Sequence, residues 1–366
     1  MRLLAAILGL ALILIILWDA FETIILPRRV TRRLRLTSVF YRTMWSICSG
    51  LVRAMRNRKR REKYLGTFGP LSLLMLLAMW ALGLILGYAI LLWAADTRLN
   101  ITAANTNFGT YLYLSGVTFF TLGYGDVAPL LGLGRALVVI EAATGFGLLA
   151  IVIGYLPVLY QSFSRREVNI ALLDARAGSP SSAAEMLRRH GEHGHLHDLN
   201  KVLHEWEHWS AELLESHLSY PVLCYFRSQH DNQSWLGSLT TILDTCALVM
   251  VGIEGTPAWQ ARLTFAMARH AVVDLAQIFR TAPIAAEYDP CRLLAGDLER
   301  IREILARNGT NLKDGEEAEQ RLAELRAMYE PYVCALSELL LMPLPSWILG
   351  EDAIDNWKTS AWGRIQ

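Results

Sequence analysis

The stretch Thr121-Leu122-Gly123-Tyr124-Gly125-Asp126 constrains this 366-residue chain more than any other. It lies between two long apolar runs and is too short and too glycine-rich to cross a membrane itself. Hydrocarbon tolerates non-helical backbone only where protein buries it or where it lines a water-filled path. Two glycines one residue apart let the backbone enter φ values that other residues disfavour, so that successive carbonyls turn towards a common axis. A ring of such carbonyls is able to replace the water around a cation.

The rest of the composition agrees with a membrane setting. The chain is 53% hydrophobic with a positive mean hydropathy, too apolar for an ordinary soluble domain. Its formal charge of +1 hides an asymmetry: residues 1–164 carry 16 Lys/Arg against 6 Asp/Glu, and the remainder 19 against 28. This separates a basic membrane part from a mildly acidic part outside it. The cysteines, Cys48, Cys224, Cys246, Cys291 and Cys334, are scattered without a Cys-x-x-Cys pair. Reduced, packed thiols in a cytoplasmic environment are expected, not a disulfide framework.

Leu3 to Pro27 is long enough to span a hydrocarbon core of about 30 Å. It is too long, too weakly basic at its start and too poor in small residues after it for a signal peptide. Asp19 and Glu22, near its end, either lie at the interface, face protein or partner the arginines just beyond. Arg28 to Lys63 holds 13 Lys/Arg and one acid, Glu62, which puts this loop on the cytoplasmic side and the N-terminus outside. Within it, Val39 to Met55 has a helical spacing of apolar residues and reads as an amphipathic helix along the inner membrane surface. Its basic surroundings, worth about 1 kcal/mol per residue near anionic lipid, fit a lipid anchor or sensor as well as simple topology-fixing. Arg28, Arg29, Arg32, Arg33 and Arg35 do not form a voltage sensor, because they lie outside an apolar helix. Leu71 to Trp93 is the second span, with Trp80 and Trp93 placed for interfacial anchoring. Ala94 to Asn107 is a short outer loop, in which the Asn100-Ile101-Thr102 glycosylation pattern is taken as chance. Phe108 to Phe120 is apolar yet too short to cross, and reads as a helix entering and turning back, its negative dipole end towards the axis. Leu133 to Tyr160 is the third span.

Thr-Leu-Gly-Tyr-Gly-Asp resembles the selectivity filter of potassium channels, with Leu122 where Val or Ile is more usual. The resemblance covers roughly Leu71 to Phe163, the outer helix–pore loop–inner helix unit of that family. It implies that Thr121 supplies a carbonyl and its hydroxyl to K⁺, that Leu122, Gly123 and Tyr124 supply carbonyls, and that Gly125 belongs to the same K⁺-coordinating filter. It further implies that Asp126 sits at the outer mouth, bonded to Tyr113 of the pore helix, with Thr118 as filter support. Where some members carry a buried glutamate behind the filter, this chain has Val117. Gly145 matches the family's hinge glycine; gating hinge and close packing both explain it. Pro157 is expected to kink or end the inner helix. Glu141, a carboxylate in mid-helix, costs roughly 3 kcal/mol in lipid and should face the pore helix or the cavity, hydrogen-bonded or protonated. One filter per chain cannot enclose an axis, so a homotetramer is implied.

The expected fold class is an all-α integral membrane protein: three transmembrane helices, a re-entrant pore helix and a helical cytoplasmic domain. The boundaries are residues 1–27, 28–67, 68–164 and 165–366. The last part has no run long enough to span, and helices are expected at Ser182 to Arg189, Leu199 to Leu218, Leu236 to Met250, Trp259 to Phe279, Arg292 to Asn308 and Glu316 to Leu341. Asp314 and Thr256 stand where caps belong. Neither the strands nor the glycine-rich turn of a dinucleotide-binding fold is present.

This half is rich in histidine. His190, His193, His195 and His197 form a turn-like tract open, with His204 and His208, to Zn²⁺ or Ni²⁺ binding or proton sensing, or to no role beyond solvation. His204-Glu205-Trp-Glu-His208 satisfies the His-Glu-x-x-His pattern of zinc proteases, without a third ligand at a familiar spacing. The functional expectation is a potassium-selective channel biased by the helical domain. The alternatives are a less selective cation channel or a membrane metalloprotease using His204, Glu205 and His208. Membrane lipid and further copies of the chain are the expected partners, with K⁺ the permeant ion, no other cofactor and no nucleic acid.

Overall fold

The computed structural model describes residues 1–26, 35–101, 106–230, 232–253, 258–284, 292–294 and 296–350, without the side chain of His193. Thr256, Pro257, Pro290, Cys291 and Arg28 to Arg33 therefore lie outside the described residues. All regular structure among those described is helical, and the chain divides into residues 1–161 and 162–366.

In the first unit, α1 (Arg2–Ala20) continues through a single π turn, Phe21–Ile25. It packs on α3 (Arg58–Ala94) at a close crossing built from glycine. A Cβ on Gly9 would lie 2.9 Å from the Gly87 carbonyl oxygen, and one on Gly87 would lie 2.6 Å from Ile13. Without a hydrophobic drive between helices in lipid, such backbone proximity is what holds them. α2 (Leu36–Arg53) joins the same corner. The buried Asp19 carboxylate accepts from the backbone N–H of Thr37 at 3.1 Å, from its hydroxyl at 2.6 Å and from Trp80 Nε1 at 3.0 Å. An acid of α1 thus serves the positive N-terminal end of α2. Glu22 accepts from Trp18 Nε1 and lies 3.6 Å from Arg35, so both acids face protein and one meets an arginine just beyond the run. Trp80 is correspondingly buried in the helix crossing and is no interfacial anchor.

α3 starts at Arg58, well before Leu71, so the last basic residues of the expected loop are helical. Its 37 residues measure about 55 Å, more than the hydrocarbon needs, which leaves the charged turns outside it. α4 (Phe108–Phe119) is capped by Asn107 and Thr110 in a reciprocal capping box, and α5 runs over Gly132–Ala177. Pro157 does not end α5, which continues past Tyr160 into the second unit.

The second unit holds that last part of α5 together with α6 (Ala183–Gly191), α7 (Leu196–Ser219), α8 (Trp235–Gly252), α9 (Ala258–Ile278), α10 (Asp297–Arg307), α11 (Glu316–Ala327) and α12 (Glu330–Leu340). The continuous helix expected over Glu316 to Leu341 is two, broken before Pro331, which takes up a first-turn position of α12. The helix expected from Arg292 starts at Asp297. Asp314 does not cap α11: its carboxylate accepts from the N–H of Gly315, which is itself the N-cap.

The expectation that nothing after Ser164 is long enough to span is also corrected. α8 has the length and hydropathy to cross, as have α1, α3 and α5, yet 83% of it is buried within its own unit. Its apolarity serves a core. Thr240, Thr241 and Thr245 return their hydroxyls to carbonyls four residues back, which lets them be buried. Asp244 receives a bidentate pair from Arg292 at 2.7 and 2.8 Å and the hydroxyl of Tyr329. Burial opposes the Arg292 charge, but the Asp244 carboxylate outweighs it and holds the guanidinium above its ordinary range.

Arg166, on α5, is a second buried ionic knot. It donates to the carbonyls of Leu223 and Phe226, each at 2.9 Å, and to His217 Nε2 at 3.1 Å. His217 gives its Nδ1 proton to Leu213 O, which leaves Nε2 as the acceptor. Burial, and then Arg166, push the His217 imidazole well below its ordinary value. The unfolded chain takes up a proton that folded His217 refuses, so stability is lost as pH falls below about 6.5. We expect the unfolding midpoint of the full chain to drop on acidification through that range and His217→Gln to flatten the slope, as read by thermal melts at several pH values. Gly87→Leu should separate α1 from α3 and cost about 1–3 kcal/mol, measured as a lowered unfolding midpoint in detergent.

Candidate functional site

α4 is 12 residues, about 18 Å, and stops inside the first unit. Its final carbonyls are capped by the strand that follows: Thr121 N–H donates to Thr118 O and Leu122 N–H to Val117 O, both at 2.9 Å. The N–H groups that begin Thr121 to Gly125 are therefore spent on α4. The backbone beyond then alternates in hand, with positive φ at Thr121 (56°), Gly123 (60°) and Gly125 (79°) but not at Leu122 or Tyr124. Such alternation aims successive carbonyls to one side and successive N–H groups to the other. A polar face of oxygens results, suited to a desolvated cation. The positive φ is free for the two glycines and costs Thr121 roughly 1–2 kcal/mol.

The outer end is tied down. Tyr113 OH donates to Asp126 Oδ2 at 2.9 Å, the pair that the resemblance implied. Asn100 N–H donates to Ala128 O at 3.0 Å, and the Ala128 N–H returns to Asn100 Oδ1 at 2.8 Å. Asn100 is the residue sequence reasoning missed: read as part of a chance glycosylation pattern, it clamps the chain that leaves Asp126. Tyr111 adds a buried bond from its hydroxyl to Thr97 O at 3.0 Å.

Gly145 lies against the other end of α4. Any Cβ there would collide with the backbone of Phe119, so close packing has a direct observation behind it. Gly147 and Gly154 meet nothing comparable. Val117 and Thr118 are buried, whereas Thr121 through Asp126 are exposed in the single chain. Only 11% of the apolar window of α5 is buried, and Val139, Phe146 and Ile153 are largely exposed.

Residues 74–161 match the family model described as an ion channel. This segment is a pore-loop ion-channel domain. The resemblance to potassium channels read from Thr121 to Asp126 stands with that match. The chain is also similar to the uncharacterized membrane protein YdjJ of Bacillus subtilis (strain 168), 22% identical over 194 residues, or 52% of this chain. It spans 56% of that relative's length. No solved structure matches.

Among the described residues, the histidines of the second unit are not drawn into one site. His190 is half-buried on Met186 O at 2.7 Å, and burial lowers its pKa. His195 and His197 both face Asp198, at 3.1 and 3.3 Å. His204 and His208 do share a helix face, ring centroids 4.7 Å apart. Glu205, the expected base, faces Arg176 at 3.2 Å, and among the described residues no three donors come together to hold a metal. An open cleft of about 390 Å³ lies among Arg176, Arg189, His190, His195, Lys201 and Glu205.

Gly145→Ala should separate α5 from α4, and Tyr113→Phe should free Asp126. We expect the first to abolish ion flux in liposomes and the second to leave flux but shorten its duration, both read from a fluorescent flux assay.

Proposed function

We propose that the chain is the subunit of a potassium-selective channel, four copies of which bring one Thr121–Gly125 stretch each around a common axis. The observation that carries the reading is the alternating-hand backbone whose first two N–H groups, of Thr121 and Leu122, turn back onto α4, because such a backbone presents its carbonyls in a column. A single column solvates only one side of a cation. The exposed Thr121 to Asp126 and the exposed face of α5 support assembly around that column. Thr121 contributes its carbonyl and hydroxyl at the inner end, Leu122, Gly123 and Tyr124 their carbonyls above it, and Asp126 the mouth. The density of Lys/Arg between residues 28 and 63 supports an N-terminus outside and the helical unit in the cytoplasm, with anionic lipid at the basic stretch. The helical unit biases opening through α5, whose residues it shares with the pore unit.

Purified protein in planar bilayers under K⁺ and Na⁺ gradients tests this. Reversal should follow the K⁺ gradient; reversal near zero in both would reduce the reading to an unselective cation channel. Gly123→Ala places a side chain at a φ of 60° and should remove K⁺ currents, with about 1–2 kcal/mol of strain in each subunit. Native mass measurement should give four copies, and any other number would end the fourfold arrangement.

A further inference from the structure

Glu141 is wholly buried on α5, and Ser115 is wholly buried on α4. Their side chains are in hydrogen-bond contact through Glu141 Oε1 and Ser115 Oγ. The same Oγ lies 2.7 Å from the carbonyl oxygen of Ile85 on α3. A serine hydroxyl has one proton to give, and a peptide carbonyl has none. The proton of Ser115 is therefore committed to Ile85 O, and Oγ faces Glu141 with lone pairs alone. A carboxylate also presents only lone pairs, and the two oxygens would repel.

No cation is at hand to alter this count. From Tyr64 to Ser164 the chain has two basic residues, Arg98 and Arg135. Arg135 is directed to Pro129 O, and Arg98 lies in the outer loop. The other polar groups facing the site are Tyr88 on α3 and Thr144 on α5. Thr144 gives its proton to Ile140 O at 2.8 Å, so the Tyr88 hydroxyl, 2.8 Å from Thr144 Oγ1, spends its own proton there. Glu141 Oε2 is buried with no partner among the described residues. An ionised carboxylate left so is far costlier than a neutral acid carbonyl.

We infer that Glu141 is held as a neutral carboxylic acid that donates to Ser115, and that this bond positions the pore helix. The placement gives the bond its leverage. Glu141 and Gly145 are four apart on α5, and Ser115 and Phe119 are four apart on α4, so the two contacts follow one another along a single helix crossing. One is a hydrogen bond behind the middle of α4. The other is the bare Gly145 against the residue before the filter turn. Glu141 touches no ion; it acts through α4. The inference rests on reading Thr121 to Gly125 as the filter only for its effect on selectivity, not for the proton.

Two measurements on the full chain test it. Infrared spectra at neutral pH should contain the carbonyl stretch of a protonated carboxylic acid that disappears in Glu141→Gln. Absence of that band in the parent protein would overturn the assignment whether or not the protein conducts. In planar bilayers, Glu141→Gln, whose amide still donates to Ser115, should keep the parent K⁺ over Na⁺ preference. Glu141→Leu, which cannot donate, should lower it about tenfold, the effect of one buried hydrogen bond. Equal impairment of Glu141→Gln and Glu141→Leu, or none in either, would refute the positioning role. If Glu141→Leu fails to assemble, Ser115→Ala removes the same acceptor and is read by the same ratio.

Discussion

Every backbone polar group at membrane depth needs a partner, and the pore unit is arranged around that requirement. A helix that stops inside the membrane leaves carbonyls at its end. Here the chain that follows caps them with its own N–H groups, at Val117 and Thr118. The backbone that follows alternates in hand from Thr121 to Gly125, and its far end is held where the Asn100 amide donates to Gly125 O at 3.5 Å. The end of the helix and the turn that follows it are thus two halves of the same hydrogen-bond account. The arrangement depends on Gly145, since any larger residue would push the end of α4, and the turn that grows from it, out of place.

The features legible in the sequence are those that local chemistry decides. The glycine-rich stretch from Thr121 to Asp126, the short helix before it and the three long apolar runs follow from composition, spacing and length. The Tyr113–Asp126 pair was legible only through the family, because nothing in the spacing of two residues 13 apart announces a bond. What stayed hidden depends on contacts between distant segments. Trp80 looked like an interfacial anchor and is instead a donor to Asp19, from a helix 61 residues away. Glu141 was visible as an anomaly, but its partner on α4 was not. The break before Pro331 escaped notice because the apolar spacing continues across it.

The two units solve the problem of buried charge differently. In the second unit, Asp244 and Arg292 meet as an ion pair, with Tyr329 completing the set, and Arg166 is met by the Glu167 carboxylate, two carbonyls and a neutral imidazole. Such knots are strongly destabilising to break by halves and mark one arrangement of helices as the right one. In the first unit, acids are met mainly by hydroxyl, indole and backbone donors, as at Asp19, where lipid leaves few cations available. The terminal helix is thereby joined to the rest by more than apolar contact: its Asp19 caps α2, so α1 organises the segment that follows it.

α8 sets a task for the cell as well as for the fold. It is apolar enough to be accepted by the machinery that threads helices into bilayers, and that machinery reads segments as they emerge. The groups that claim Asp244, namely Arg292 and Tyr329, are made after α8 has left the ribosome. For that interval the segment is an orphan, and Asp244 and its threonines are what distinguish it from a crossing helix. Replacing that one carboxylate with an apolar residue would do more than weaken a core: it would make a buried helix harder to tell from a crossing one.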